Sequence, residues 1–545
     1  MNSRLVGNVV VPRRWSSSIR KNKTTTSNNG WWVAGSSVLI GLGGALKYVH
    51  DEMEGSEGLM RSLSFYSLAV PKYVEYRYYS LANKSEEEWD QLHQQTSLLG
   101  LQKILELGGF YTKTGQICAA NIGNAFPPIW QQTMSVLQDD CPYQPISVIH
   151  DIIQQEYKKP WTEIFDSIDP IPIGAASIGQ VHKAKLKDTL EEVVVKIMYP
   201  NVERIFRGDV RTIKLFCQLA QPVHVPPLEE MEHQFMTEFD YRLEAQQMLR
   251  VFTNLSNAGI SGENKKCQIP LPHLPLCTKR VLVMTPLDGQ KLPLVLQSQP
   301  RPPSHIPSHK LLQYYTQLET KRRYHNAQAK LFNMTLGWLY PTKEYKSRLD
   351  YGIPTINPKQ LIEDLLYIHG HEVLVDGYFN GDPHPGNIFI MNNNHKNASL
   401  QQQLGLIDYG QVKYIDTPTR LLLCQLIIAL AEEDQEKVVQ IMKEAGYTSK
   451  NNDANVIYTF ARVSYDEDND ELTGGKHIQF FLEDLQDRDP ILTLPKDFIM
   501  VGRTSTMLRG LAHSLKCPMS VAKAWKPIAQ SVLEKEQTKI TIKEM

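Results

Sequence analysis

The stretch GYFNGDPHPGNIFI, Gly377 to Ile390, followed by LGLIDYG, Leu404 to Gly410, decides how this chain folds. It holds Asp382, then Asn387 five residues later, then Asp408 at the end of an apolar run. Two carboxylates and a carboxamide in that order can hold a nucleophile and two metal-bound phosphates. Apolar residues lead up to each motif, so both are expected at strand ends. Either motif alone is a weak signal. Two in this order are hard to obtain by chance.

In protein kinases the first Asp accepts the substrate proton, and the Asn and the Asp of Asp-Phe-Gly ligate magnesium. Those positions here are Asp382, Asn387 and Asp408, with Tyr409 in place of Phe. His-Arg-Asp is missing, and Asn380-Gly381-Asp382-Pro383-His384-Pro385-Gly386-Asn387 stands in its place. That string resembles the UbiB family of atypical kinases, also called aarF-domain kinases, and the resemblance covers roughly Leu98 to Leu515. It implies an α+β, two-lobed, protein-kinase-like fold with a helical N-terminal extension, and ATP with Mg2+ as cofactors.

Bulk numbers agree with an ordinary globular protein. At 545 residues the chain exceeds one hydrophobic core, so two or three units are expected. A formal net charge of -1 gives no global reason to expect nucleic acid as a partner. The 7 cysteines are scattered and include no Cys-x-x-Cys, which fits reduced thiols and argues against a disulfide scaffold or a structural zinc site.

The N-terminus stands apart. Arg4, Arg13, Arg14, Arg20, Lys21 and Lys23 precede the first acid, Asp51, and hydroxyl residues crowd Ser16 to Ser18 and Thr24 to Ser27. An Arg-rich, Ser-rich, acid-free start is the pattern of an organelle transit peptide, expected over 1–30. Import driven by a negative-inside potential favours the mitochondrion, inner membrane, with a plastid as the alternative; a disordered basic tail is the bland reading. Trp31 to Val49 is then a candidate membrane span: helix of that length reaches about 28 Å, near the roughly 30 Å hydrocarbon core. Trp31 and Trp32 at one end and Lys47 with Tyr48 at the other suit the two interfaces. An apolar part of the presequence, removed on import, is the competing reading.

Residues 50–165 form the expected helical extension. A helical pattern starts at Leu98 with Leu101, Ile104, Leu105, Leu107 and Phe110. Lys113 and Gln116 lie three apart and share a helix face. A lone Lys and Gln are ordinarily solvated surface. Here they resemble the family's Lys-x-Gly-Gln signature, followed by Leu137-Gln138-Asp139. In that family the extension folds over the active site, which implies that Lys113, Gln116, Gln138 and Asp139 sit at the nucleotide pocket.

Residues 166–292 are the expected N-lobe. Gly174-Ala175-Ala176-Ser177 makes a small-residue turn before Ile178 and an alternating run to Lys183. It resembles the family's Ala-rich loop, with Gly174 where alanine is more usual, and so assigns Ala175, Ala176, Ser177 and Ile178 to the phosphates. Small residues fill many tight hairpins, so the loop alone is weak evidence. Val193 to Val195 form a β-branched run ending at Lys196, which matches the kinase lysine that pairs with the α- and β-phosphates. Glu238, Asp240 and Glu244 resemble the family's Glu-x-Asp motif and its downstream Glu. On that match Glu244 pairs with Lys196, while Glu238 and Asp240 belong with the covering extension. A solvated acidic helix face is the alternative. Arg280 to Leu292 predicts a strand and a hinge, with Met284 at the adenine slot, although core packing explains Val281 to Met284 as well.

Pro-rich and then basic sequence over 293–358 predicts an insertion, more simply a tolerated surface loop than a docking surface. Residues 359–545 are the expected C-lobe, with one amphipathic helix or a helix pair over Thr419 to Met442. Leu494 to Leu515 resembles the end of the family's domain and is expected to be mostly core.

All five central residue types are intact, so the expected activity is an atypical kinase or ATPase. The resemblance implies a link to coenzyme Q and related prenyl lipids, with a membrane or prenyl-lipid clientele and lipid-biosynthetic enzymes as partners. A conventional protein kinase is disfavoured by the Lys-x-Gly-Gln extension and the Ala-rich loop. A non-catalytic nucleotide-binding scaffold is the third reading. Oligomeric state is not legible.

Overall fold

Charge placement and glycines set the boundaries of the first helices. A computed structural model describes residues 56–82, 84–120, 127–138, 143–175, 178–220, 225–298, 317, 324, 356–392, 403–467, 470–474 and 478–544. The expected transit peptide, the candidate span Trp31–Val49, Ala176, Ser177, Asp139 and most of the 293–358 insertion lie outside these residues. Among the described residues, no helix is long and apolar enough to cross a membrane.

Helix α1 spans Ser56–Leu81. Helix α2, Glu86–Leu107, opens on a capping box in which Ser85 and Glu88 satisfy each other's backbone N–H groups. The pattern that starts at Leu98 therefore begins inside a longer helix and runs past its end, with Phe110 on the next one. That pattern does not mark one buried face: Leu98 and Leu105 are exposed and Leu107 is buried. Gly108, at φ +62°, ends α2, and α3, Gly109–Ala120, begins at once. Helix α4 is Ile146–Tyr157, with Ile149, Ile152 and Ile153 buried on one side.

The first sheet contains β1 (Phe165–Ile168), β2 (Gly174–Ala175), β3 (Gly179–Leu186), β4 (Glu192–Met198) and β5 (Val281–Met284). Its order is β1-β3-β4-β5, with β2 on β3. Every pairing within it is antiparallel. The valines crowd a helix but suit a pleat, which commits β4 to the sheet. Alternation then sorts its side chains. Val193, Val195 and Ile197 join the isoleucines of α4 in one cluster. Val194 and Met198 join the main core on the other face. Lys196 has the parity of the second set, so it points into the molecule.

That inner face meets α5 (Val202–Ala220) and α6 (Tyr241–Asn257). The buried residues Tyr241, Glu244, Ala245, Met248, Val251 and Leu255 follow a helical spacing and make one stripe of α6. Glu244 is an acid on an apolar stripe and faces Lys196. Helix α3 packs on α5 through Phe110 and Phe206, ring centroids 4.8 Å apart, with Phe206 also against Phe235 and Phe239.

After β6 (Gly289–Lys291), α7 runs over Pro358–His371 and continues into a π-helical turn, Glu372–Asp376. Strand β7 (Tyr378–Asn380) pairs with β10 (Val412–Tyr414), and β8 (Ile388–Met391) pairs with β9 (Leu404–Leu406). The expected helix over Thr419 to Met442 is a pair, α8 (Thr417–Ala431) and α9 (Gln435–Glu444). Glu433, at φ +58°, turns the chain between them. Helices α10 (Lys496–Ser514) and α11 (Val521–Glu544) follow, and Trp525, fully buried, donates from its indole to Leu366 O on α7 at 2.8 Å.

Candidate active site

Register brings the two halves of the opening motif together. Asn380 ends β7 and Ile388 opens β8, so Asp382 and Asn387 lie in the short link between them. Pro383 and Pro385 stiffen that link, and a 3-10 turn covers Pro385–Asn387. Ile388 pairs with Leu406, and the Ile407 amide donates to Asn387 O at 3.0 Å. Asn387 and Asp408 thus leave the same end of one hairpin. Asp408 itself has φ +66°, an uncommon conformation for a non-glycine residue and one that recurs where function constrains the backbone.

Lys196 Nζ donates to both oxygens of Glu244, at 2.8 and 2.9 Å, and lies 3.9 Å from Asp408 Oδ1. It also lies 5.1 Å from the centre of the Tyr241 ring. Burial works against the charge on Lys196, but Asp408 and Glu244 reverse this and hold its pKa well above the usual lysine range. Burial pushes Glu244 up to about 7 against the pull of Lys196. Asp408 moves the other way, because Lys196 holds it below the usual carboxylate range while 44% of its side chain remains exposed. A β-carbon on Gly410 would meet Asp408 Oδ1 at 3.4 Å and Glu244 Oε2 at 3.8 Å. The backbone there threads between the two carboxylates.

Glu238 sits in a 3-10 turn just before α6 and accepts from Gln411 Nε2 at 2.9 Å. Burial raises its pKa, opposed by the charge of Lys113. Lys113 lies one turn beyond Phe110 on α3, with Nζ 4.9 Å from the centre of the Phe235 ring. The aromatic packing of α3 on α5 therefore carries Lys113 towards Glu238 and Asp408, both of which feel its charge. Asp240 does something else. It caps α6 by accepting from the Arg242 amide at 3.0 Å, and its other oxygen holds the Arg242 guanidinium at 2.6 Å. It is a helix cap, the role a short acid before a helix takes when an orphan N–H is in reach.

Ala175 ends β2 opposite Gln180, and Ile178 O accepts from Tyr199 N, just past β4, at 2.9 Å. Met284 ends β5 opposite Val194. Gln116 and Gln138 lie on the α3 and Ser135–Gln138 segments. Sequence reasoning missed Arg503, from α10, which reaches within 3.8 Å of Asp382 Oδ1. The segment around it looks like core because Val501, Leu508 and Leu511 are core. An arginine between buried apolar residues was the available signal. Tyr241 and Gln411 were missed because only the fold brings them to Lys196 and Glu238.

A family model described as the ABC1 atypical kinase-like domain matches residues 136–442, over half of the chain. The chain belongs to the UbiB family of ABC1 atypical kinases. An uncharacterised Synechocystis protein is 29% identical over 63% of this chain and 72% of its own length. AarF domain-containing protein kinase 1 of Xenopus laevis is 24% identical over 65% of this chain and 57% of its own. The chloroplastic ACTIVITY OF BC1 COMPLEX KINASE 1 of Arabidopsis thaliana is 25% identical over 65% of this chain and 43% of its own. The chain thus spans about half the length of the last two. A solved Mycobacterium tuberculosis protein in complex with erythromycin aligns over 81% of this chain and 95% of its own, at 20% identity and a TM-score of 0.45. For a member of this UbiB-type group, a kinase-like fold and a kinase-type transferase site are the expected frame.

Proposed function

We propose that this UbiB-family chain is a Mg-ATP-dependent atypical kinase or ATPase of organelle membrane-lipid or prenyl-lipid (coenzyme Q) metabolism. One observation carries the reading: Glu244 grips Lys196 with both oxygens, and Asp408 lies beside the same ammonium. A buried acid on an apolar helix stripe costs stability, and its retention opposite a strand lysine fits a lysine that must be aimed. In this reading Lys196 orients the α- and β-phosphates. Asn387 and Asp408 offer hard oxygen donors from one hairpin end, the chemistry magnesium prefers. Ala175, Ala176, Ser177 and Ile178 cover the phosphates and Met284 borders the adenine. When bound, magnesium would neutralise charge on the phosphates.

Asp382 then accepts the acceptor's proton as the acceptor oxygen bonds to phosphorus and the bond to the leaving ADP oxygen breaks. Arg503, 3.8 Å from Asp382, adds positive charge where the acceptor would sit. On the family match, Lys113, Gln116, Gln138, Asp139 and Glu238 would cover the acceptor's side and regulate access, which would favour a small or lipid acceptor, or water, over a protein chain. The basic, acid-free start and the chloroplastic relative support an organelle, with the mitochondrial inner membrane preferred. A membrane or prenyl-lipid clientele and lipid-biosynthetic enzymes are the partners this implies. The test is ATP-induced thermal stabilisation of the full chain with and without Mg2+. The reading expects a shift that needs Mg2+ and shrinks in Asn387→Ala; a shift of equal size without the ion would overturn the metal assignment.

A further inference from the structure

Asn380 is uncharged and buried, yet each of its polar side-chain atoms is bonded to a different candidate catalytic segment. Its Nδ2 donates to Asp408 O at 3.0 Å, and its Oδ1 accepts from the Asp382 amide at 2.9 Å. One planar carboxamide therefore bridges the two segments that carry the acceptor base and the metal ligand. Its own backbone amide donates to Glu372 Oε2 at 3.3 Å. Glu372 is fully buried in the π-helical turn after α7, and the same oxygen shares a hydrogen bond with His369 Nδ1 at 2.9 Å. Such turns inside helices concentrate at functional sites.

The support behind Asn380 is not built for stability. Among the described residues, Glu372 Oε1, His369 Nε2 and the Tyr409 hydroxyl are buried without a partner. Leaving such groups unmatched is unfavourable, and an apolar core would serve packing better. Glu372 thus holds the backbone of Asn380 directly, behind the carboxamide that joins the two segments.

We infer that Asn380 is a positioning residue that fixes the spacing of Asp382 and Asp408, and that Glu372 holds Asn380 in place. The inference rests on the phosphoryl-transfer reading. A misplacement near 1 Å between acceptor base and metal ligand costs about 100-fold in rate. Loss of the bridge therefore lowers kcat and leaves KM for ATP nearly unchanged, because Lys196 and the hairpin over the phosphates are untouched.

The experiment compares full-chain wild type, Asn380→Ala, Asn380→Asp and Glu372→Gln by amide hydrogen exchange and by steady-state ATP turnover. Asn380→Asp keeps the acceptor for the Asp382 amide but loses the donor to Asp408 O. It should retain protection over 380–384 and lose it over 407–411, whereas Asn380→Ala loses both. Glu372→Gln keeps an acceptor oxygen for Asn380 and should stay near wild type in exchange. Turnover should fall about 100-fold in Asn380→Ala at constant KM. A purely structural role loosens both segments alike in Asn380→Ala and Asn380→Asp, and that pattern overturns the inference, as does wild-type kcat in Asn380→Ala. A wild type that turns over no ATP sinks the phosphoryl-transfer reading instead, and the exchange pattern still decides whether Asn380 bridges the two segments.

Discussion

At the scale of the residue, the site is a set of acids around a lysine whose charge they sustain. Removing Lys196 strands Glu244, which is only 5% exposed. Lys196→Ala is expected to cost about 3 kcal/mol of unfolding free energy. Adding Glu244→Gln should restore most of it, because neither charge is then left alone; denaturant midpoints of the two single variants and the double variant measure this. Protonation separates stability from function at Glu244. Its pKa rises from 4.5 to about 7 on folding, chiefly through burial. A raised folded value favours the fold below the unfolded pKa, and that contribution is lost as pH climbs through about 7. Function runs the other way, since a protonated Glu244 gives up its grip on Lys196. ATP affinity of the wild type is therefore expected to fall between pH 8 and 6, and that of Glu244→Gln to stay flat. A titration series of ATP binding reads the difference, and equal slopes in both proteins would show that Glu244 does not aim the lysine.

At the scale of the element, two glycines of one hairpin make opposite predictions. A β-carbon at Gly179 would lie 2.4 Å from Ile197 O and 2.9 Å from the Tyr241 hydroxyl. Gly179→Ala must push β3 off β4 beside Lys196 and should destabilise by about 1–3 kcal/mol. At Gly174 the nearest atom would be Lys291 Nζ at 3.9 Å, so Gly174→Ala should be neutral or stabilise by up to about 1 kcal/mol. Melting temperatures of the two variants settle the contrast. The same elements show what sequence can and cannot specify. The Val193–Val195 run and the Leu404–Leu406 run identify their strands because β-branched and apolar clustering is local. The partnership of Lys196 with Glu244 depends on which face of β4 meets which stripe of α6, and came only from family resemblance. The capping role of Asp240 is not legible in sequence, because an N-cap and a site acid look alike until the helix start is placed. Arg503 stands out only as an arginine among core residues, and its target, Asp382, is distant in sequence.

At the scale of the whole molecule, one arrangement recurs: side chains from the extension, the first sheet and the C-terminal helices converge on the Asp382–Asp408 segment. Phe110 and Phe206 bring Lys113, strand parity brings Lys196, and α10 brings Arg503. The α+β kinase-like frame was legible from two motifs and their order, since Asp382, Asn387 and Asp408 need strand ends to meet. The roles of the insertion and of the N-terminal segment depend on contacts that local pattern does not encode. The central claim is that this convergence turns over ATP. Mg-ATP hydrolysis by the full chain, beside Asp408→Asn, in detergent and in cardiolipin-rich liposomes, tests it most directly. The account predicts turnover that vanishes in Asp408→Asn and rises with lipid; nucleotide binding without turnover in either medium would contradict it.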